Sequence, residues 1–218
     1  MLNLINKEFK LCVHPTNFVF LFFAALLFVP NYPYEVVFFF SSLSMFFYCL
    51  TSRENNDLQF TCSLPVKKGN IPIARIFTSA VFQVVLIIFC LLTSIIKCSL
   101  FPAEMIINQA GISANFALVG NGAIMLGIFN LIFFPRYFKN PDRIGTTFVL
   151  SSAVLFIMVI IFIVLRWAMP MYSEVLNGPN AENTLSKVIY LLIGLMLYAV
   201  MTYASCKLSV KNFLKVDL

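Results

Sequence analysis

The chain has 218 residues, of which 61% are hydrophobic and only 11% are charged, and its mean hydropathy is +0.92. A soluble domain carries about 25% charged residues, because its surface must face water. The composition therefore excludes an ordinary soluble protein and predicts a membrane protein that uses lipid as part of its solvent. No stretch is polar enough and long enough to form a second, soluble domain, so we predict one membrane domain over residues 1–218.

The net charge of +6 does not indicate a nucleic-acid partner, because the lysines and arginines gather in short segments beside hydrophobic runs. The six cysteines form no C-x-x-C pair, and His14 is the only histidine. We therefore predict free thiols and no metal site.

The first 13 residues place Leu2, Ile5 and Phe9 at helical spacing, with polar residues between them. This pattern is typical of an amphipathic helix that lies in the membrane interface. We predict an N-terminal elbow helix before the first span. The first apolar run, Phe18 to Pro30, lacks a small-x-small cleavage site, so we expect it to be retained rather than cleaved as a signal peptide.

Six transmembrane spans are predicted, because about 20 largely apolar residues cross roughly 30 Å of hydrocarbon. They cover about residues 16–31, 35–51, 76–96, 114–135, 144–166 and 187–206. The first two runs are short, and only a proline-bearing turn over residues 31–35 separates them. We interpret them as a tight hairpin of two spans, with a re-entrant hairpin as the alternative. The predicted fold class is an all-α polytopic membrane protein.

The loops give the orientation. Twelve lysines and arginines lie on the side of the two termini, and three lie on the other side, namely Lys97, Arg166 and Lys187. Because basic loops stay in the cytoplasm, this asymmetry predicts that both termini are cytoplasmic.

The predicted hydrophobic cores of the spans hold no ionisable residue, which argues against a proton-coupled transporter, a charged-filter channel or an intramembrane protease. There is no H-E-x-x-H motif and no phosphate-binding G-x-x-x-x-G-K-[ST] loop, so we expect no catalytic site and no ATP bound by this chain. Uncharged polar residues do occur at four positions of interest: Gln83, Asn115, Asn121 and Asn130. They either bond neighbouring helices, with small residues such as Gly120 and Gly122 allowing close approach, or they line a substrate path.

The loop over residues 52–75 is the most distinctive segment. Its first half can form a short amphipathic helix with Leu58, Thr61, Cys62 and Pro65 on one face. The Leu64-Pro65 step is expected to end that helix, because proline disfavours helical geometry in the residue before it. On residue chemistry alone, the simplest interpretation is a charged loop that anchors the topology.

The run Leu64-Pro65-Val66-Lys67-Lys68, the following Ile71 and Arg75, and the opening segment from Leu4 to Phe9 resemble the permeases of type-2 ABC transporters. More narrowly, the chain resembles the small permeases of bacterial exporters, such as those for phenol-soluble modulins or bacitracin-like peptides. Pro72 departs from the pattern, because we expect it to interrupt a helix that begins near Ile71.

The resemblance implies that this loop is a coupling helix, seated in a groove of a separate ATPase subunit that holds ATP and Mg²⁺. Two permeases, either copies or paralogues, and two ATPases would form the transporter. Glu54 and Asp57 would pair with basic residues of the ATPase, and Leu58 and Phe60 would supply apolar anchors. The predicted coupling residues are Glu54, Asp57, Leu58, Phe60, Leu64, Pro65, Lys67 and Lys68.

The expected function is therefore the permease half of an ABC exporter in the bacterial cytoplasmic membrane. Because the spans show no charged pocket, a hydrophobic or amphipathic peptide fits better than a sugar or an ion. Two other classes are considered: a non-transporting membrane subunit, such as an immunity or sensor partner, and a membrane-embedded enzyme, which would need a cluster of reactive side chains.

Overall fold

The described residues fold mainly into helices, joined by both short turns and longer connections. The computed structural model describes residues 1–29, 33–102, 106–108, 111–170 and 172–216. No β-sheet forms among these residues, which confirms the predicted all-α class. In this part of the chain the main helices are α1 (Leu2–Cys12), α2 (Thr16–Phe28), α3 (Val36–Glu54), α4 (Asp57–Ser63), α5 (Asn70–Leu100), α6 (Phe116–Tyr137), α7 (Ile144–Ala168) and α8 (Thr184–Phe213).

Five helices, α3 and α5 to α8, are each long and apolar enough to cross a membrane. The sixth candidate is the pair α1 and α2, whose axes meet at 93°. In α2, six residues of α-helix are followed by seven of 3₁₀ helix. At about 1.5 and 2.0 Å per residue, α2 reaches about 23 Å, less than the roughly 30 Å hydrocarbon core. The right-angle bend agrees with the predicted elbow, and α2 is shorter than the predicted first span.

The turn predicted between the first two spans lies partly outside the described residues, which omit residues 30–32. The tight hairpin therefore stays a prediction. On its far side, α3 begins at Val36 and continues to Glu54, so this second helix extends beyond the predicted span.

The expectation that Pro72 interrupts a helix is wrong. Helix α5 begins at Asn70, which places Pro72 at its third position. The first-turn amides of a helix have no intrahelical acceptor, so proline removes no hydrogen bond there and its fixed φ suits the helix. Helix α5 continues to Leu100, so it begins before the predicted third span, 76–96, and ends after it.

Helix α4 ends as the sequence predicts. Its last residue is Ser63, and Leu64 takes an extended conformation before Pro65. At its start, Asn56 adopts the left-handed conformation, with φ of 50°, and turns the chain between α3 and α4. Asparagine tolerates this conformation better than most residues.

Glycines bring α6 and α8 into close contact. A Cβ atom on Gly194 would lie 2.6 Å from the carbonyl oxygen of Gly120, and one on Gly127 would lie 3.0 Å from the Cα of Tyr198. One on Gly122 would lie 2.0 Å from the ring of Phe38 on α3. The small residues around Gly120 therefore serve close helix packing, as one of the two sequence interpretations predicts.

Both ends of the described chain lie beside the loop of residues 52–75. Lys7 of α1 forms an ion pair with Asp57, and the Lys68 ammonium donates to the carbonyl of Val216. The two ends and the loop therefore share one end of the helix bundle, whose orientation in the membrane stays a prediction.

Candidate functional site

A buried guanidinium lies at the junction of α4 with the helix bundle. Arg75, in the first turns of α5, is fully buried. Its Nε lies 3.1 Å from Oε2 of Glu8, and its Nη2 lies 3.2 Å from Oε1 of the same carboxylate. Nη2 also donates to Oδ2 of Asp57 at 2.5 Å. One cation thus joins α1 to α4.

Polar side chains from the spanning helices complete the surroundings of Arg75. Its Nη1 donates to the hydroxyl of Ser52 at 2.6 Å and to that of Tyr137 at 2.8 Å. The hydroxyl of Tyr48 donates to Oε2 of Glu8. Five helices, α1 and α3 to α6, therefore meet at one hydrogen-bonded group, which we call the Arg75 cluster (Lys7, Glu8, Tyr48, Ser52, Asp57, Arg75 and Tyr137).

Lys7 adds the second cation of this cluster. Its ammonium contacts Asp57, lies 3.3 Å from Oε1 of Glu8 and donates to the hydroxyl of Thr61 at 2.7 Å. Two cations therefore face two carboxylates. Isolated charges are very costly to bury, so this balance and its hydrogen bonds are what allow the cluster to lie inside the protein.

The surrounding charges set the ionisation of the two carboxyls. Burial by itself would raise the pKa of Glu8, but the charges of Arg75 and Lys7 outweigh it and hold that pKa below its ordinary value. The pKa of Asp57 is lowered in the same way, because Arg75 and Lys7 outweigh its burial. Both groups are therefore carboxylates at neutral pH.

Three side chains of the cluster region have the donor types of a metal site. The ligand atoms of Glu8, Cys12 and Asp57 lie within 4.8 Å of one another. Arg75 Nη2 contacts all three, at 3.8 Å from the Cys12 sulfur, so a cation already lies among them. Burial also raises the pKa of the Cys12 thiol to about 12, which leaves little of the thiolate that binds metal. These residues therefore fit a structural cluster better than a metal site.

The predicted coupling residues differ in how far they are exposed. Asp57 and Leu58 face the protein and are buried, whereas Phe60 is 55% exposed. Lys68 is half-buried, with its ammonium 5.5 Å from the centre of the Phe213 ring. The other predicted residues are exposed: Glu54, Leu64, Pro65 and Lys67.

The expected pairing of Asp57 with a partner protein does not fit this structure, because its carboxylate is already bound to Arg75 and Lys7. Leu58 is likewise part of the hydrophobic core. The coupling role itself stays a prediction, now carried by the exposed side of α4 and the turn that follows it.

Two of the predicted path residues bond helices inside the bundle. The amides of Gln83 and Asn130 exchange two hydrogen bonds, of 2.8 and 2.7 Å, between α5 and α6. Asn130 also donates to Thr202, and Tyr198 donates to Gln83 at 2.9 Å, so α8 joins the same group. Both amides are fully buried.

The other two path residues lie toward the opposite end of α6. Asn115 caps α6 by accepting from the Leu118 amide at 3.0 Å, and it donates to the carbonyls of Leu176 and Gly178. Asn121 bonds the hydroxyls of Tyr172 and Tyr190. All four predicted path residues thus have partners within the chain, which favours the interhelical role over a substrate lining in this conformation.

The end of the bundle opposite α4 holds three buried cations. Arg166 forms an ion pair of 3.3 Å with Glu35. The Lys97 ammonium donates to the Leu27 carbonyl at 2.7 Å, and that of Lys187 donates to backbone carbonyls, including that of Glu182 at 2.7 Å. These are the three cations of the sparsely charged side, and all have partners within the fold.

The Arg75 cluster was not predicted from the sequence. Arg75 was interpreted as a topology cation and as part of the family resemblance, and Glu8 only as part of the opening segment that carries the same resemblance. The one available signal was an acidic residue inside an otherwise basic membrane-surface helix, which needs a nearby cation when it is buried.

Comparison with protein families matches residues 3–213 to the family described as ABC-2 family transporter protein. No curated protein and no solved structure matches the chain. The match covers nearly the whole chain and includes the short α4 and the Arg75 cluster. This chain therefore belongs to the ABC-2 transporter family and is a multi-pass membrane component of an ABC transport system.

Proposed function

We propose that this chain is the permease half of a bacterial ABC exporter in the cytoplasmic membrane. Two permeases, identical or paralogous, would pair with two separate ATPase subunits. The ATPases would bind ATP and Mg²⁺, and the permeases would move a hydrophobic or amphipathic substrate outward. A peptide fits this substrate class best. Family membership supports the permease part of this proposal.

The observation that carries the proposal is the two-sided character of α4. Its inner side is fixed to α1 and α5 by Asp57, which binds Lys7 and Arg75. Its outer side presents Phe60, and the following turn exposes Leu64. A force applied to the outer side would therefore reach several helices at once, as a coupling element requires.

Closure of the ATPase dimer would push α4, and the Arg75 cluster would pass that displacement to the spanning helices. Packed, fully hydrogen-bonded groups shift as units rather than deforming continuously. The cluster includes Ser52 at the end of α3 and Tyr137 at the end of α6. These two helices would therefore tilt together with α5.

The substrate class is supported by the state of the ionisable groups. Arg75, Lys97 and Lys187 are buried, and each has partners within the chain. They offer no free charge to a polar substrate in this conformation. A hydrophobic or amphipathic peptide is consistent with such a bundle, because it can be bound through apolar contacts.

The test uses Phe60→Ala, which removes an exposed apolar anchor but leaves the Arg75 cluster intact. Phe22→Ala is the matched control, because Phe22 is also exposed but lies on α2. Both variants are co-expressed with the ATPase, and two quantities are measured: co-purification of the ATPase and ATP-driven peptide uptake into inside-out vesicles.

Loss of an interface anchor costs about 2 kcal/mol or more, so Phe60→Ala should weaken ATPase binding on the order of 30-fold and reduce transport accordingly. The control should bind and transport normally. If both variants keep full ATPase binding and transport, α4 is a topology anchor and the coupling assignment is wrong. ATPase binding without transport of any substrate in the unsubstituted protein would instead indicate a non-transporting subunit.

A further inference from the structure

A cation-lined pocket lies where α6 passes into α7, away from the Arg75 cluster. Its volume is about 530 Å³, within the usual range of about 300–1,000 Å³ for small-ligand sites. Its lining includes three cations, Arg136, Lys139 and Arg143, and two uncharged residues, Thr146 and Leu150. All five side chains are exposed.

The three cations have no anionic partner in the part of the chain that the structure describes. Every ion pair found there involves other residues. This contrasts with Arg75 and Arg166, which are both paired with carboxylates. Three unpaired cations around one cavity repel each other, so an anion in the cavity would stabilise them.

The start of α7 adds to the positive potential of the same pocket. Arg143 is the N-cap residue of α7, and no side chain caps this helix. A cation at a helix N-terminus is unfavourable, because the helix dipole is positive there. A 3₁₀ turn over Pro141–Arg143 runs directly into α7, so the positive end of the helix dipole lies at this turn. An anion in the pocket would relieve the conflict by its charge.

An exposed side of α7 continues from the pocket along the helix. Thr146, Leu150, Ile157 and Ile161 follow helical spacing and share one side of α7. The last three are exposed apolar residues. A ligand with a phosphate in the pocket would thus have its apolar part directed along this stripe, in contact with the hydrocarbon.

We propose that this pocket binds the phosphate of an anionic lipid headgroup, with the acyl chains lying along the exposed stripe of α7. The pocket lies at the same end of the bundle as α4, since Arg53 donates to the Asp142 carbonyl at 3.2 Å. Basic groups between helices at a membrane surface are typical partners of such headgroups. This site does not depend on the ATPase-coupling role of α4.

The test compares the full chain with Lys139→Gln/Arg143→Gln. The control, Lys211→Gln/Lys215→Gln, removes the same charge from exposed positions at the end of α8 and just after it, outside the pocket. Each protein is purified in a neutral detergent, and phosphatidylglycerol or phosphatidylcholine is added in increasing amounts. The lipid that stays bound to each protein is measured by native mass spectrometry. A second arm adds inorganic phosphate as a competitor.

We expect selective retention of phosphatidylglycerol by the unsubstituted chain and the control. In the pocket variant, affinity should fall about 30-fold, as removal of two cations near an anionic headgroup predicts. Inorganic phosphate at millimolar concentration should not displace the lipid, because it lacks the apolar part.

Three outcomes would overturn the proposal. One is equal retention of phosphatidylglycerol by all three proteins. Another is binding of inorganic phosphate by the pocket with no selective retention of lipid, which would make the ligand a soluble phosphate. The third, measured on the same three proteins co-expressed with the ATPase, is unchanged lipid retention together with loss of ATPase co-purification in the pocket variant, which would assign the pocket to a protein partner.

Discussion

Removing the positive charge of Arg75 should destabilise the whole protein, although Arg75 lies at one end of the bundle. The Arg75→Met change leaves the Glu8 and Asp57 carboxylates with only Lys7 as a cation. It also removes the hydrogen bonds from Arg75 to Ser52 and Tyr137.

The magnitude follows from the burial of these groups. Breaking a buried ion pair by removing one partner costs about 3–5 kcal/mol, because the remaining charge is left uncompensated. For a chain of this size, about 1 kcal/mol corresponds to roughly 2–4 °C in Tm, so we expect a loss on the order of 10 °C. Removing one charge of each sign, with Asp57→Asn/Arg75→Met, should recover much of the lost stability, since Lys7 still pairs with Glu8 and no unpaired charge remains.

The assay is heat denaturation in detergent, followed by maleimide modification of the buried thiols of Cys49 and Cys90. Mass spectrometry of the peptides gives the temperature at which each thiol becomes reactive. Arg53→Met is the matched control, because Arg53 is exposed and makes one hydrogen bond to a carbonyl. We expect its effect to stay within about 0.5 kcal/mol.

Two results would refute this reasoning. If Arg75→Met lowers Tm no more than Arg53→Met, the buried charges do not depend on Arg75. If the Asp57→Asn/Arg75→Met variant is less stable than Arg75→Met, the cluster stabilises the fold beyond neutralising its own charges, and the destabilisation does not come from an unpaired charge.

Three further predictions concern pH, packing and topology. The pKa values of Glu8 and Asp57 are lowered in the folded protein, so the stability that these two carboxylates contribute should be complete above about pH 4 and lost as pH falls through their folded-state pKa values. Tm measured from pH 3 to pH 7 should therefore be flat above pH 5. A decline in Tm that begins at pH 6 would contradict this prediction. Gly194→Ala should lower Tm, because the added methyl group forces α6 and α8 apart at a cost of about 1–3 kcal/mol. Gly145→Ala should leave Tm unchanged, because an added Cβ there meets nothing within 4 Å. Equal Tm values for the two variants would refute the close packing of α6 and α8. A membrane-impermeant thiol reagent on intact cells should modify Cys98 more readily than Cys62, and the reverse would overturn the predicted orientation.

The amino-acid sequence by itself determined the class of protein and the approximate positions of its helices. Hydropathy is a local property, and the backbone must satisfy its own hydrogen bonds in lipid, so apolar runs of sufficient length become helices. The end of α4 before Leu64 was predictable for a similar reason, because Pro65 restricts the residue next to it. The family resemblance, carried by short motifs, was confirmed by a match over residues 3–213.

Only the tertiary structure decided what the polar residues do. Glu8 and Arg75 lie 67 positions apart, and Gln83 and Asn130 lie 47 apart, so no local pattern relates them. The same limitation explains why Asp57 looked like a free interface acid in the sequence, although it is buried against Arg75. A charge on a loop can face water or the protein with nearly the same local sequence. Which of these occurs depends on whether folding brings an opposite charge within contact, and that is a property of the assembled helices.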